Sequence, residues 1–378
     1  MMRPASQFLR LAVHSALLLA SASLSFPGAA LAEARPSQAS PPVSTESPSP
    51  RGLVVVIENK PGRDRLDLRA LDNPLISGVA LQIRWRDLEP VQGQPDWSKL
   101  DQLFAGAESS KKWVQLLIFP GFFSPAWAME GVHTEMFAIR YGPGKGEVEK
   151  LPLPWDQVYL TRWFAFLKLL SDRYGKFPAF RVMAAAGPTS VSAEFTLPNT
   201  PEDVQKWRSI GYTPAKYTEA WQKAFQVYAA DFPNQYVSLS LGFGLNIDDR
   251  EKQDKRAGKP IKDAILDEAI RILGRRFVLQ NSNLDGNPER DRGPHGIPLV
   301  ISYNGRIITG FQLRTSCVRN SGNMGAEGNP QLALRRSIDR GTELNGAGYR
   351  INYLEIYEPD VLADEMQPIL RYGASLFN

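Results

Sequence analysis

The sequence predicts an α/β chain folded as a single (β/α)8 (TIM) barrel, and three observations point there. Eight short runs rich in Val, Ile, Leu and aromatic residues follow one another, spaced so that most leave room for a helix between them. Helix-period segments with recognisable starts and stops fill several of those intervals. No glycine-rich phosphate turn of the GxGxxG or GxxxxGK(S/T) type follows an early run, as a doubly wound open sheet would usually carry. The barrel is expected over residues 52–378, about 330 residues, which suits one barrel with insertions.

Ahead of it, residues 1–32 read as a secretory signal. Arg3 and Arg10 precede an apolar stretch from Leu11 to Phe26, and Ala30-Leu31-Ala32 offers small residues for cleavage after Ala32. A mature chain starting at Glu33, secreted or periplasmic, is the expectation. A retained anchor is the competing reading, but His14, Ser15, Ser21, Ser23 and Ser25 interrupt the run, which falls short of a comfortable span of ~20 residues. No stable membrane insertion is therefore expected after cleavage. Residues 33–51 are Pro/Ser-rich, too poor in apolar residues to build a core, and read as a linker.

The predicted strands are Leu53–Ile57, Gly78–Trp85, Trp113–Phe119, Phe180–Ala186, Tyr236–Phe243, Phe277–Asn281, Ile308–Leu313 and Ile351–Tyr357. The second is bounded by Asn73, Pro74 and Gly78, and after it Pro90 favours extended backbone at Glu89 while Gly93 permits a turn. Asp96 or Ser98 then caps a helix carrying Leu100, Leu103 and Phe104 on one face. Trp155–Tyr174 reads as a helix stopped by Gly175. Thr213-Pro214 opens another, with Tyr217, Trp221, Phe225 and Tyr228 as a core stripe and Phe232-Pro233 as its end. Two long connections, 120–154 after strand three and 187–212 after strand four, carry aromatics, glycines and prolines in place of a helical period. Loops that long are usually functional, and in a barrel they flank the C-terminal face where active sites are built.

Composition narrows the function classes. An apolar share of 43% in 378 residues supports a sizeable core. The formal charge is +4, and without the leader 42 basic residues face 40 acidic ones, so no nucleic-acid partner is expected. A single cysteine, Cys317, gives neither an intrachain disulfide nor a multi-thiolate metal site. Apart from His14 of the leader, the histidines are His133 and His295; no HExxH and no GxSxG elbow occurs, and the acids at Asp248, Asp249, Glu251 and Asp254 are interleaved with Arg and Lys like a solvated loop. No metal and no cofactor are expected.

Trp85, Leu88, Glu89, Pro90, Gly93 and Trp97 resemble, at this spacing, the early barrel segment of family-42-type β-galactosidases and related clan A glycoside hydrolases. That resemblance implies a (β/α)8 barrel acting on a carbohydrate substrate with two carboxyl groups, one to protonate the leaving oxygen and one to attack carbon or activate water. Glu194, after the fourth strand in Gly187–Phe195, resembles the clan's acid/base position, although the usual Asn-Glu pair is Ala193-Glu194 here. The seventh strand, where the clan carries its nucleophile, offers Gln312, and an amide cannot attack. On the eighth strand, alternation sets Tyr353, Glu355 and Tyr357 opposite Leu354 and Ile356. Glu355 is thus the expected nucleophile, with Arg84 or Arg314 as its partner. Arg84, Gln280, Asn281, Gln312 and Tyr303 read as substrate hydrogen-bonders, and Trp85, Phe122, Trp127 and Tyr357 as aromatic platforms for sugar faces. Two other readings stay open: a non-catalytic carbohydrate-binding barrel whose nucleophile became Gln312, and a cell-envelope scaffold that uses the Pro/Ser tether.

Overall fold

The structure, a computed structural model, describes residues 48–140, 144–242, 244–247, 258–290, 296–342 and 351–377. The signal and most of the linker, Phe243, His295 and the acidic cluster from Asp248 to Asp254 lie outside the described residues.

Among the described residues ten strands occur in chain order: β1 (Gly52–Glu58), β2 (Gly78–Arg84), β3 (Trp113–Phe119), β4 (Thr134–Ala138), β5 (Val148–Pro152), β6 (Phe180–Ala184), β7 (Tyr236–Ser240), β8 (Phe277–Leu284), β9 (Ile308–Leu313) and β10 (Tyr353–Tyr357). Eight of them close a parallel barrel in the order β1-β2-β3-β6-β7-β8-β9-β10 and back to β1. The remaining two, β4 and β5, form an antiparallel hairpin. All eight predicted strands are barrel strands. The chain is a (β/α)8 barrel.

Most barrel strands read as largely apolar on both faces, because both are covered, with polar inward residues placed toward the mouth. Leu53, Val55 and Ile57 of β1 join the outer core against the helices, whereas Val54 and Val56 pack inside with Ala80, Leu117, Val182, Val278 and Tyr353. The N-terminal end of the interior is plugged by Trp113 and Tyr353, edge to face at 5.7 Å. Two strands make room for these rings by lacking a side chain: a Cβ on Gly78 would lie 2.5 Å from the Trp113 ring, and one on Gly310 would lie 2.5 Å from the Tyr353 ring.

Two outer helices follow their sequence signals, whereas the helix Ser98–Ser109 starts at Trp97 with no side-chain cap, so neither Asp96 nor Ser98 is its N-cap. The helix Gln157–Tyr174 starts at Asp156, whose carboxylate accepts the Tyr159 N–H at 3.0 Å, and the helix Pro214–Asp231 starts at Thr213, whose hydroxyl accepts the Lys216 N–H at 3.2 Å. Tyr217, Trp221, Phe225 and Tyr228 are all fully buried, as a core stripe should be. The two long connections differ from expectation. The described part of residues 120–154 holds the hairpin β4–β5, and residues 187–212 contain a helix, Pro201–Ser209, opened by a Thr200/Asp203 capping box. Phe137 of β4 stacks on Trp207 of that helix at 4.5 Å, which ties the two insertions together beside the barrel mouth.

Candidate active site

The interior side chains change character toward the C-terminal ends of the strands. Above the apolar plug come Gln115, Gln280 and Glu355; above those, Gln82, Leu117, Phe119, Ser238, Ser240, Ser282 and Gln312 line a cleft closed on one side by Ser192, Ala193 and Glu194. Its free volume is about 30 Å³, room for one or two waters. A sugar ring does not fit below this rim and has to lie across it.

Glu194 is held at the rim by backbone. After β6 the chain runs on beside β7, with Glu194 bridged to Ser240 and the Ser240 N–H donating to the Ala193 carbonyl at 3.3 Å. The Thr189 hydroxyl donates to the Glu194 carbonyl, and Phe122 N–H donates to the Ser190 carbonyl at 2.9 Å, so the loop after β3 buttresses the loop after β6. The Glu194 carboxyl is half-buried and accepts from the Thr196 hydroxyl at 3.3 Å. Burial pushes its pKa up from 4.5 to about 7, against the opposing pull of hydrogen bonds from Thr196, Ser282 and Ser240. Ser240 and Ser282 are themselves 2.7 Å apart. A carboxyl titrating near neutrality is equipped to deliver a proton.

Glu355 points into the barrel, as alternation requires, but it lies beneath the cleft. It is fully buried and does not border the free space. Neither Arg84 nor Arg314 meets it: the Arg84 guanidinium lies over the Phe123 ring at 5.2 Å, and Arg314 Nε donates to Asp285 at 3.1 Å. Two amides partner it instead, Gln280 Nε2 donating to Oε1 and Gln312 Nε2 donating to Oε2, both at 2.8 Å. Gln280 cannot turn round, because its carbonyl accepts from Tyr353 Oη at 3.1 Å and Gln115 Nε2 at 3.3 Å. Burial lifts the Glu355 pKa from 4.5 to about 8, against hydrogen bonds from Gln280, Gln312 and Gln115. With both oxygens taken up by amide N–H groups and no edge on the cleft, Glu355 is not in reach of a saccharide at the mouth in this structure, which leaves the nucleophile role expected from the sequence without support from its position. Its evident work is to fix Gln280 and Gln312, whose upper sides face the cleft.

The other expected contacts divide. Gln280 and Gln312 line the cleft, and Arg84 and Tyr357 stand on inward positions at the ends of β2 and β10. Trp85 does not serve as a platform. The strand ends one residue early and Trp85 opens a helical turn, Trp85–Leu88, which swings the indole into the wall. There it is fully buried among Trp127, Tyr159, Trp163 and Phe166, and its Nε1 donates to Glu89 at 2.9 Å. Glu89 also accepts the Gly93 N–H at 2.8 Å, and Trp127 Nε1 donates to the Glu89 carbonyl at 2.9 Å. Trp127 is thus part of the same wall, and Phe122 is buried near Thr196 and Arg140. Asn281 sits on the outer face of β8, opposite Phe311, and caps its own turn through Asn283 N–H. Tyr303 ends the helix Ile297–Tyr303 just before β9 begins, at the opposite end of the barrel from the mouth, with Arg306 over its ring at 4.4 Å.

No protein-family model matches the chain, and no curated protein matches it significantly. Among solved structures it is similar to the exo-β-1,4-mannosidase Op5Man5 from Opitutaceae bacterium strain TAV5, at 13% identity and a TM-score of 0.45 over 86% of this chain and 56% of that one. The chain therefore spans about half the length of that enzyme. The barrel itself rests on the strand pairing, and no residue is assigned from this likeness.

Residues the sequence reading passed over include Gln82, Ser240 and Ser282, all in the cleft wall. Each lies an even number of positions from an inward-facing neighbour on its strand, so the period-2 pattern carried the signal.

Proposed function

We propose that the chain is a glycoside hydrolase-type barrel that binds a saccharide across its mouth and protonates the glycosidic oxygen with Glu194. The observation that carries this reading is the Glu194 carboxyl itself: at the C-terminal rim, half-buried, and raised to about 7 so that it holds a proton near neutral pH. Around it stand Gln82, Gln280, Gln312, Ser238, Ser240 and Ser282, a set of amides and hydroxyls able to donate to and accept from sugar hydroxyls. The resemblance of the Trp85–Trp97 segment to family-42-type enzymes belongs to this reading as well, although those residues build the wall beside the site and do not touch the cleft. The leader adds a secreted or periplasmic setting, which N-terminal sequencing of the mature protein tests.

A second reading, a non-catalytic carbohydrate-binding barrel, is favoured by one specific observation: at the seventh barrel strand the cleft is faced by the amide of Gln312, and the nearest acid below it, Glu355, is sealed off. The test is a panel of oligosaccharides and aryl glycosides, with calorimetric binding in parallel. Hydrolysis lost in Glu194→Gln with folding intact supports the hydrolase. Binding without turnover supports the second reading, and neither binding nor turnover refutes both.

A further inference from the structure

Acid chemistry at Glu194 leaves the hydrolase reading one carboxylate short, since a glycosidic bond is cleaved by a pair. Gln312 is an amide and Glu355 lies under the floor. The first strand supplies an acid that neither place does. Val54 and Val56 of β1 face the barrel interior while Leu53, Val55 and Ile57 face the helices. Continuing that alternation, Glu58 is an inward position at the C-terminal end of the strand. Its Cα partner across the ladder is Gln82, which lines the cleft, and Val56 below it is partnered with Tyr357. Glu58 stands above the cleft, where a saccharide lying across the rim would be, with its side chain 42% exposed. Arg319, from the loop after β9, reaches it at 3.5 Å. Tyr357, at the end of β10, has its hydroxyl pKa raised chiefly by burial and then by nearby acids, among them the two rim acids Glu58 and Glu194. Lys60 and Glu358 are the further charged groups at this edge, 3.9 Å apart.

Resting on the hydrolase reading, we propose that Glu58 is the second catalytic carboxylate, acting from β1 across the mouth from Glu194. β1 and β6 are separated by β2 and β3 in the barrel, so the two acids stand on different sides of the mouth, and the reaction requires a water to sit between them. In the step, Glu58 takes a proton from that water as its oxygen bonds to the anomeric carbon. The glycosidic C–O bond breaks, and the leaving oxygen receives the Glu194 proton. One water is consumed, and Arg319 steadies the carboxylate that waits for it.

The experiment compares Glu58→Gln, Glu58→Ala and Glu355→Gln with the full-length wild type on an aryl glycoside that the wild type hydrolyses, with and without sodium azide. Because Glu58 is exposed, its variants should fold, which circular dichroism checks. The expected result is a kcat lowered about a thousandfold in both Glu58 variants with KM little changed, and partial return of turnover in Glu58→Ala on adding azide, with a glycosyl azide as product. An active wild type whose Glu58→Gln variant stays within about tenfold overturns the inference and leaves the hydrolase reading standing. A wild type inert on every glycoside defeats the hydrolase reading and the inference together.

Discussion

Replacing Glu355 with glutamine tests whether that carboxyl is a buried proton-holder beneath the site. In the wild type its pKa rises from 4.5 to about 8 because burial disfavours the charge. A group that holds its proton more tightly when folded gives stability that is complete below its unfolded pKa, and that stability is lost as pH rises through the folded one. The window is therefore pH 4.5 to about 8. At about 1.4 kcal/mol per tenfold change in proton affinity, the loss across it is on the order of a few kcal/mol. Glutamine keeps the shape and leaves an oxygen to accept from Gln280 Nε2, while its own amide can donate to Gln312 once that side chain turns over. Urea denaturation followed by tryptophan fluorescence at pH 5, 7 and 9 should show wild type and variant nearly equal at pH 5. The variant should be the more stable by a few kcal/mol at pH 9. Glu194 gives the wild type a separate decline between pH 4.5 and about 7, but both proteins share it, so it cancels in the difference. Parallel curves at all three pH values, or a variant weaker at pH 9, would refute the account of Glu355.

Trp85→Ala should cost about 3–5 kcal/mol, because it empties the aromatic wall and strips buried Glu89 of a donor; thermal unfolding measures it. Gly121 has φ of +66°, and a Cβ there would lie 2.3 Å from the Ser190 carbonyl oxygen, so Gly121→Ala should push the loop after β6 away. Its expected signature is a fall in turnover larger than its fall in stability, read by kinetics beside a denaturation curve. Asp285 is fully buried, with Arg290 at 2.6 Å, Arg314 at 3.1 Å and Arg340 at 2.9 Å, so Asp285→Ala should cost about 3–5 kcal/mol by removing the acceptor these guanidiniums share; chemical denaturation checks it.

The barrel was legible because parallel strands covered on both faces are unbroken apolar runs between turn residues, and eight of them stand out in this chain. Their ends were less so. Glu58 and the stretch from Ser282 to Leu284 continue their strands with side chains that look like loop, because the mouth of a barrel is polar. The helix after Thr200 was missed despite its Thr-Pro-Glu-Asp start, a capping signal masked by the glycines and prolines around it. The hairpin at Thr134 and Val148 has five-residue strands dotted with Glu and Lys, which leave little period to detect.

For the site, alternation told which way Glu355 faces but not how high it stands. Its depth shows only in the packing: Glu355 is level with Gln312 on β9, and the Gln280 and Gln312 amides close over its carboxyl on the cleft side. Trp85 shows the opposite failure. Its spacing to Glu89 and Gly93 looked like a feature of the mouth, and the helical turn beginning at Trp85 converts the same spacing into a hydrogen-bonded wall. The position of Glu194 at the rim follows from its place after the fourth strand, a topological signal, whereas its role as the acid rests on the proposal above.

The measurement that bears most directly on Glu194 as a general acid is the pH dependence of kcat/KM on an unactivated oligosaccharide. The account predicts turnover that falls above about pH 7 as the Glu194 proton is lost, and that Glu194→Gln abolishes. A rate that holds level to pH 9, or that survives the substitution, would contradict it.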